Sequence, residues 1–215
     1  MDRQRRVVRA LLDAHGRTYA DEAGIRLRDT PQPLYRLLVL AHLLSARIRA
    51  SVALATARAL HEAGLRDPHR MAEADWQERV DALGRGGYRR YDERTATQLG
   101  EAAELLNERW GGDLRRLRRE ADGKASELRH LLQEFPGIGP AGADIFLREA
   151  QGVWPEAAPY LDAKALQGAE RLKLPEDTER LVELAGDTDP AVLAAALVRA
   201  AVDKDVAEDA MRRAG

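Results

Sequence analysis

Apolar residues recur along this chain at the three-and-four spacing of a helical face, and no segment sustains the two-residue alternation of a strand. Residues 3–15 predict a short amphipathic helix. The stretch 15–33 is rich in Gly, Asp, Thr and Pro and reads as a loop closed by Pro31 and Pro33. From Leu34 to Gly64 the pattern is too long, and too apolar on one side, for a single surface helix. It predicts a buried helix to about Ser45, a turn, and a second helix from about Arg49 to Ala63, with Gly64 as its C-cap. Further helices are predicted over 68–83, over 96–109 and within the charged segment GDLRRLRREADGK. Others follow over 125–135 and 141–151, in DAKALQGAERLKL, and at about 175–185 and 189–202, the last of these read as the final packing helix. RGGYRRYDERT and GVWPEAAPYLD read as loops, and there is no internal repeat or low-complexity tract.

Composition agrees with an all-α protein. Of 215 residues 45% are hydrophobic and 33% charged, a globular balance that suits one compact domain or two small interlocked ones. Aromatics are scarce, and the dominant Leu, Ala, Arg and Glu are good helix formers. The chain has no cysteine, which excludes disulfides, thiolate nucleophiles, Cys-zinc sites and Cys-ligated iron–sulfur clusters. Its start lacks the apolar core and cleavage pattern of a secretory signal, and no window approaches 18 uninterrupted apolar residues. A soluble, cytoplasmic protein without a membrane partner is the expectation.

The formal net charge of -2 gives no support to nucleic-acid binding, which favours a basic footprint, although a local basic face remains open. The basic residues are nearly all Arg, with Lys only at Lys124, Lys164, Lys173 and Lys204. Arg forks suit phosphates, and an Arg and Ala bias equally reflects a GC-rich genome.

The strongest motif is FPGIGPAGADIFL, residues 135–147. Gly137 and Gly139 let the backbone turn sharply and lie bare. The following helix presents unsatisfied N–H groups, a setting that attracts phosphate. Helix, Pro-Gly-Ile-Gly, helix is the helix-hairpin-helix pattern, which grips a DNA backbone without reading bases. Gly137, Ile138, Gly139, Ala141 and Gly142 are the expected backbone-binding residues, with Ile138 turned inward as an anchor. An ordinary Gly-rich helix–helix turn is the plain alternative. The same residues spell GxGxxG, but a dinucleotide fingerprint needs a preceding strand, and ASELRHLLQEF is helical by pattern.

From the hairpin outward the chain resembles endonuclease III and its relatives, the helix-hairpin-helix (HhH-GPD) base-excision glycosylase superfamily. The landmarks fall in family order over roughly 32–172. LLVLAHLLSAR (37–47) resembles the segment ending LLSAQ, and GGYRRYDERTATQL (86–99) the loop and helix opened by a Gly-aromatic pair. After the hairpin, PYLDAKALQGAERL (159–172) stands where the family carries Val-Asp-Thr-His-Val. The resemblance implies a six-helix barrel over about 32–150, its helix-hairpin-helix at 125–151, and a second helical domain from 1–31 plus 151–215. It further implies lesion-bearing double-stranded DNA as partner in the cleft between them, a flipped base, a monomeric, nucleoid-associated protein, and a monovalent cation at the hairpin.

By the same resemblance Asp162 takes the essential carboxylate position, where negative charge stabilises oxocarbenium character at the sugar. Its other reading is an N-cap of the helix it precedes, and both can hold. The family's Schiff-base Lys, two residues after the second hairpin Gly, is replaced by Ala141, so β-lyase chemistry by that route is not expected. Lys164 stands where the family often has His; it is a substitute nucleophile or a surface or phosphate-contacting Lys. Arg47 stands at the Gln that fills the gap left by the flipped base. His42 lies near the place of an acid Glu in adenine glycosylases and reads either as a proton donor to a purine or as a hydrogen-bonded core residue. Tyr88 is a stacking wedge or a packed loop aromatic. Arg85, Arg89, Arg90 and Arg94 line the backbone path or form a solvated loop.

Two functions follow. One is a monofunctional DNA glycosylase without iron–sulfur cluster or other cofactor. The other is a non-catalytic DNA-binding protein that kept the hairpin. An unrelated helical protein with a chance hairpin stands behind both.

Overall fold

The computed structural model describes residues 2–215, and every regular element among them is helical. In chain order these are α1 (Arg3–His15), α2 (Tyr19–Glu22), α3 (Pro31–Ser45), α4 (Ala50–Glu62), α5 (Pro68–Glu73), α6 (Trp76–Arg85), α7 (Asp92–Trp110), α8 (Leu114–Glu120), α9 (Ala125–Leu132), α10 (Pro140–Ala150), a 3-10 turn (Pro155–Ala157), α11 (Ala163–Arg171), α12 (Thr178–Ala185), α13 (Pro190–Val202) and α14 (Lys204–Ala214).

Aspartate sets many of the helix starts. Asp67, Asp75, Asp113, Asp162, Asp177, Asp189 and Asp203 each accept a hydrogen bond from a backbone N–H in the first turn of the helix they precede. This explains one departure from the apolar pattern. The single helix predicted over 68–83 is two, α5 and α6, because Asp75 and Glu78 form a reciprocal capping box that starts a new helix.

The chain divides into two compact units, one of Ala20–Leu147 and one of the residues through Tyr19 together with Arg148–Gly215; the boundary falls inside α10. In the first unit α3 is the central helix. Leu34, Leu37, Leu40 and Leu43 are fully buried and Leu38 and Val39 nearly so, so α3 is buried on most of its circumference. Each such side chain contributes about 1.5–3 kcal/mol of transfer free energy. Helices α4 and α8 pack on α3, while α7 packs on α5, α6 and α8.

In the second unit the Ala-rich α13 is buried on nearly every face and lies against α11. The approach is backbone on backbone: a Cβ added to Gly168 would stand 1.9 Å from the carbonyl oxygen of Leu197. One expectation is corrected here. The helix expected at 189–202 is not the last, because α14 follows and packs along α1. Its buried face is made of Ala207, Ala210 and Ala214, a helically spaced but weakly apolar stripe in a mostly charged segment, and Asp203 caps its start.

Candidate functional site

The hairpin joins α9 to α10. Gly137 sits at φ +84, the left-handed region that side-chain-bearing residues avoid. The Ile138 N–H donates to the Phe135 carbonyl and the Ala143 N–H to the Gly139 carbonyl, which closes the turn onto α10. Ile138 is 4% exposed. It packs against Gly142, where an added Cβ would lie 3.3 Å from the Ile138 Cγ2. Gly139, Pro140 and Ala141 form the exposed tip.

Beneath this turn lies His42. A Cβ on Gly137 would stand 2.3 Å from the His42 Cε1, 2.6 Å from its Nε2 and 3.0 Å from the Gln98 Oε1, so the imidazole and the amide occupy the space that glycine leaves open. His42 is 5% exposed. Burial disfavours its cation and brings its pKa down from 6.5 to about 4; the hydrogen bond with Gln98 opposes that shift and the Arg94 charge adds to it. The ring is neutral at physiological pH.

The segment after α3 and the loop before α7 come together. Arg47, Ile48, Arg49, Val52, Gly87, Tyr88, Arg89 and Arg90 line one open groove of about 630 Å³. Arg47, Arg49, Arg89 and Arg90 are exposed, so the rim is cationic while Ile48 and Val52 supply apolar surface. Tyr88 is 2% exposed and its hydroxyl hydrogen-bonds with the Thr95 Oγ1 at 3.1 Å, so the ring is packed into the unit. Arg85 lines a neighbouring depression with Arg58 and Glu62, and Arg94 is exposed at the start of α7.

Asp162 belongs to the other unit. Its Oδ1 accepts from the Ala165 N–H at 3.1 Å, and its Oδ2 accepts from the Arg148 guanidinium at 2.7 Å. The two side chains are 11% and 8% exposed. Among the capping aspartates Asp162 differs in its partner: Arg148 reaches it from the end of α10, fourteen residues away, whereas Asp67, Asp113 and Asp177 meet donors within the next three residues. The Gln151 amide braces the same segment, donating to the carbonyls of Arg148 and Tyr160 and accepting from the Tyr160 N–H at 2.7 Å. Lys164 is exposed and donates to Gln167 one turn on, at 2.8 Å.

Gln98, Arg49 and Arg148 were not among the residues singled out in the sequence. Arg49 was detectable as a second arginine in the same turn. Arg148 and Glu149 interrupt the apolar run IFLREA, which is the signal of a buried, partnered charge. Gln98 has no local signal, because its role comes from α7 passing under the hairpin.

No group of three or more His, Cys, Asp or Glu able to hold a metal ion occurs among the described residues. A monovalent cation at the hairpin would rely on backbone carbonyls, and those of Phe135 and Gly139 each already accept a hydrogen bond. No helix among the described residues is long and apolar enough to cross a membrane.

A chain whose described elements are all helical, with one helix delivered into the next through a Pro-Gly-Ile-Gly turn anchored by a buried isoleucine, is a helix-hairpin-helix protein by fold. The fold is endonuclease III-like. A trapped endonuclease III–DNA covalent intermediate, an estranged-adenine complex, superposes with a TM-score of 0.53 at 16% identity, covering 93% of this chain and 85% of that one. A non-covalent endonuclease III–DNA complex gives a TM-score of 0.56 at the same identity and coverage. No family model matches the sequence, and no curated protein matches it.

Proposed function

We propose that this protein is a monofunctional DNA glycosylase that holds lesion-bearing duplex DNA by its hairpin and arginine groove and hydrolyses the N-glycosidic bond of a damaged or mismatched base. The binding half rests on two features: a turn that leaves Gly139–Ala141 bare for a phosphate, and four exposed arginines on one groove. The catalytic half rests on one observation, a largely buried carboxylate at the start of α11. In the reaction the C1′–N bond breaks with its electron pair leaving on the base. Water supplies hydroxyl to C1′, and its other proton ends on the base. Asp162 would stabilise the positive charge that develops on the sugar. Each of its oxygens already accepts one hydrogen bond and keeps acceptor capacity for another. Ala141 offers no amine, so no Schiff base forms there. His42 is left out of the chemistry, because its ring is neutral at pH 7 and packed under Gly137.

One observation favours the second reading, a DNA-binding protein without chemistry. The Arg148 cation is bonded directly to Asp162 and balances its charge, leaving less field for an oxocarbenium.

A single-turnover assay on a panel of lesion-bearing duplexes separates the readings. Wild type and Asp162→Asn run side by side, with and without alkali, and circular dichroism confirms that both are folded. Abasic product from wild type alone, nicked only after alkali, is expected. Tight binding with no product from either protein would establish the binder. Failure to bind any duplex at low salt would remove both readings.

A further inference from the structure

We infer that His42 is the positioning residue of the hairpin: with Gln98 it forms the seat on which the Gly137 turn rests, and it ties that turn to the two arginine-bearing segments of the same unit. The inference rests on the DNA-binding half of the reading above for its consequence, but not for its geometry.

Three observations converge. First, the Gly137 turn has no side chain of its own, and the space a Cβ would take is filled by the His42 ring and the Gln98 amide oxygen. A left-handed glycine has many conformations to lose, so a rigid, well-packed support is what holds it in one. Second, His42 does not act alone on α3. Ser45, three residues on and therefore on the same face, lies against the other end of the hairpin, its Cβ 3.7 Å from where a Gly142 Cβ would stand. The Ser45 hydroxyl also donates to the His42 carbonyl at 2.7 Å, which satisfies one of the carbonyls left open in the last turn of α3. The final turn of α3 is thus a cradle for the hairpin, with His42 at one end and Ser45 at the other. Third, both elements of the seat lead to the groove. The chain leaves α3 at Ser45 and reaches Arg47 and Arg49; it enters α7 directly after Arg89 and Arg90, two turns before Gln98. A shift of the seat therefore moves the hairpin tip and both sides of the groove together.

The seat needs a neutral, hydrogen-bonding, aromatic-sized group. A charged ring would stand buried beside the Arg94 charge, and an aliphatic one would leave Gln98 without its partner. Burial holds the imidazole neutral through the physiological range.

The test is local hydrogen exchange together with duplex affinity, on wild type, His42→Leu and His42→Gln. His42→Leu keeps the volume and removes the bond to Gln98; His42→Gln restores a hydrogen-bonding group. In His42→Leu the amides of Ile138 and Ala143, which close the turn, are expected to exchange at least tenfold faster. Amides of α13 are expected to be unchanged, and affinity for an undamaged duplex to fall at least tenfold. His42→Gln is expected to recover a substantial part of both. Uniform acceleration across the chain would mean a general core residue, and unchanged exchange at Ile138 and Ala143 would mean no role in the turn; either overturns the inference. A second pair of variants covers the case of poor folding. Gly137→Ala is expected to weaken binding strongly, and combining it with His42→Ala, which vacates the space the new methyl needs and leaves only the left-handed strain of the alanine, is expected to cost less than the sum of the two single losses. Purely additive losses would overturn the contact. If wild type binds no duplex while the local exchange effect stands, the DNA-binding reading fails and the seat remains.

Discussion

Two of the buried polar centres among the described residues are built on opposite principles. Beneath the hairpin, His42 is buried without a compensating charge and survives by being neutral. At the start of α11, Asp162 is buried with a compensating charge and survives by being paired with Arg148. The first centre shapes a backbone and needs only volume and one hydrogen bond. The second fixes a carboxylate, and its stability depends on both partners being present. Lone polar atoms elsewhere are few: among the described residues the buried side-chain atoms without a hydrogen bond include the His61 Nδ1 and the Asn107 Oδ1, neither of which belongs to these centres.

The largest break in this comparison is Arg148→Ala. It leaves the Asp162 carboxylate buried with only the Ala165 N–H, and a loss of about 3–5 kcal/mol is expected in urea denaturation. The double variant Arg148→Ala, Asp162→Ala is expected to recover a large share of that, because no unpaired charge remains. Equal losses in the two would show that packing, not pairing, governs this centre.

His42 behaves in the opposite way, and pH exposes it. Its folded pKa of about 4 lies below the unfolded 6.5, so between these values the unfolded chain binds more protons and stability rises with pH. The contribution is fully present above about pH 6.5 and is lost as pH falls toward 4, with about 3 kcal/mol at stake. His42→Gln cannot charge, so its stability should vary less over that window. Parallel wild-type and variant curves would show that the ring is not neutral for the reason given.

The smallest effect sharpens the comparison at the surface. Replacing Arg47, Arg89 and Arg90 by Ala should leave the melting temperature nearly unchanged, since surface charge contributes little to stability. The slope of log affinity against log salt for duplex DNA should become shallower by about 0.9 for each arginine that contacts a phosphate. An unchanged slope would remove the groove from the binding surface.

The hairpin was legible in the sequence because its constraints are local: two glycines, two prolines and flanking helices announce themselves within thirteen residues. The helix starts were less so. Aspartate is common in loops, and only its geometry shows that Asp75 divides what reads as one helix into α5 and α6. The last helix, α14, was missed because its apolar positions, Val206, Ala207, Ala210, Met211 and Ala214, are helically spaced but mostly small and are outweighed by the charged residues between them. At the site, Arg47 and Arg89 could be picked out as exposed arginines, but the groove they share comes from two segments some forty residues apart. Gln98 and Arg148 act through His42 and Asp162, far away in sequence at separations that periodicity does not reach. Tyr88 shows the converse: a Gly-flanked aromatic in a loop looks available, and its burial follows from a hydroxyl pairing with Thr95 that no pattern encodes.

The seam between α11 and α13 bears on how this protein can change over generations. Where Gly168 rests on the Leu197 carbonyl, the smallest side chain already collides with main chain, and main chain cannot repack as a flexible side chain can. Substitution there is all-or-none, so inherited variation at that seam is closed off. The body of α11 is anchored by it, and divergence is left to the exposed loops.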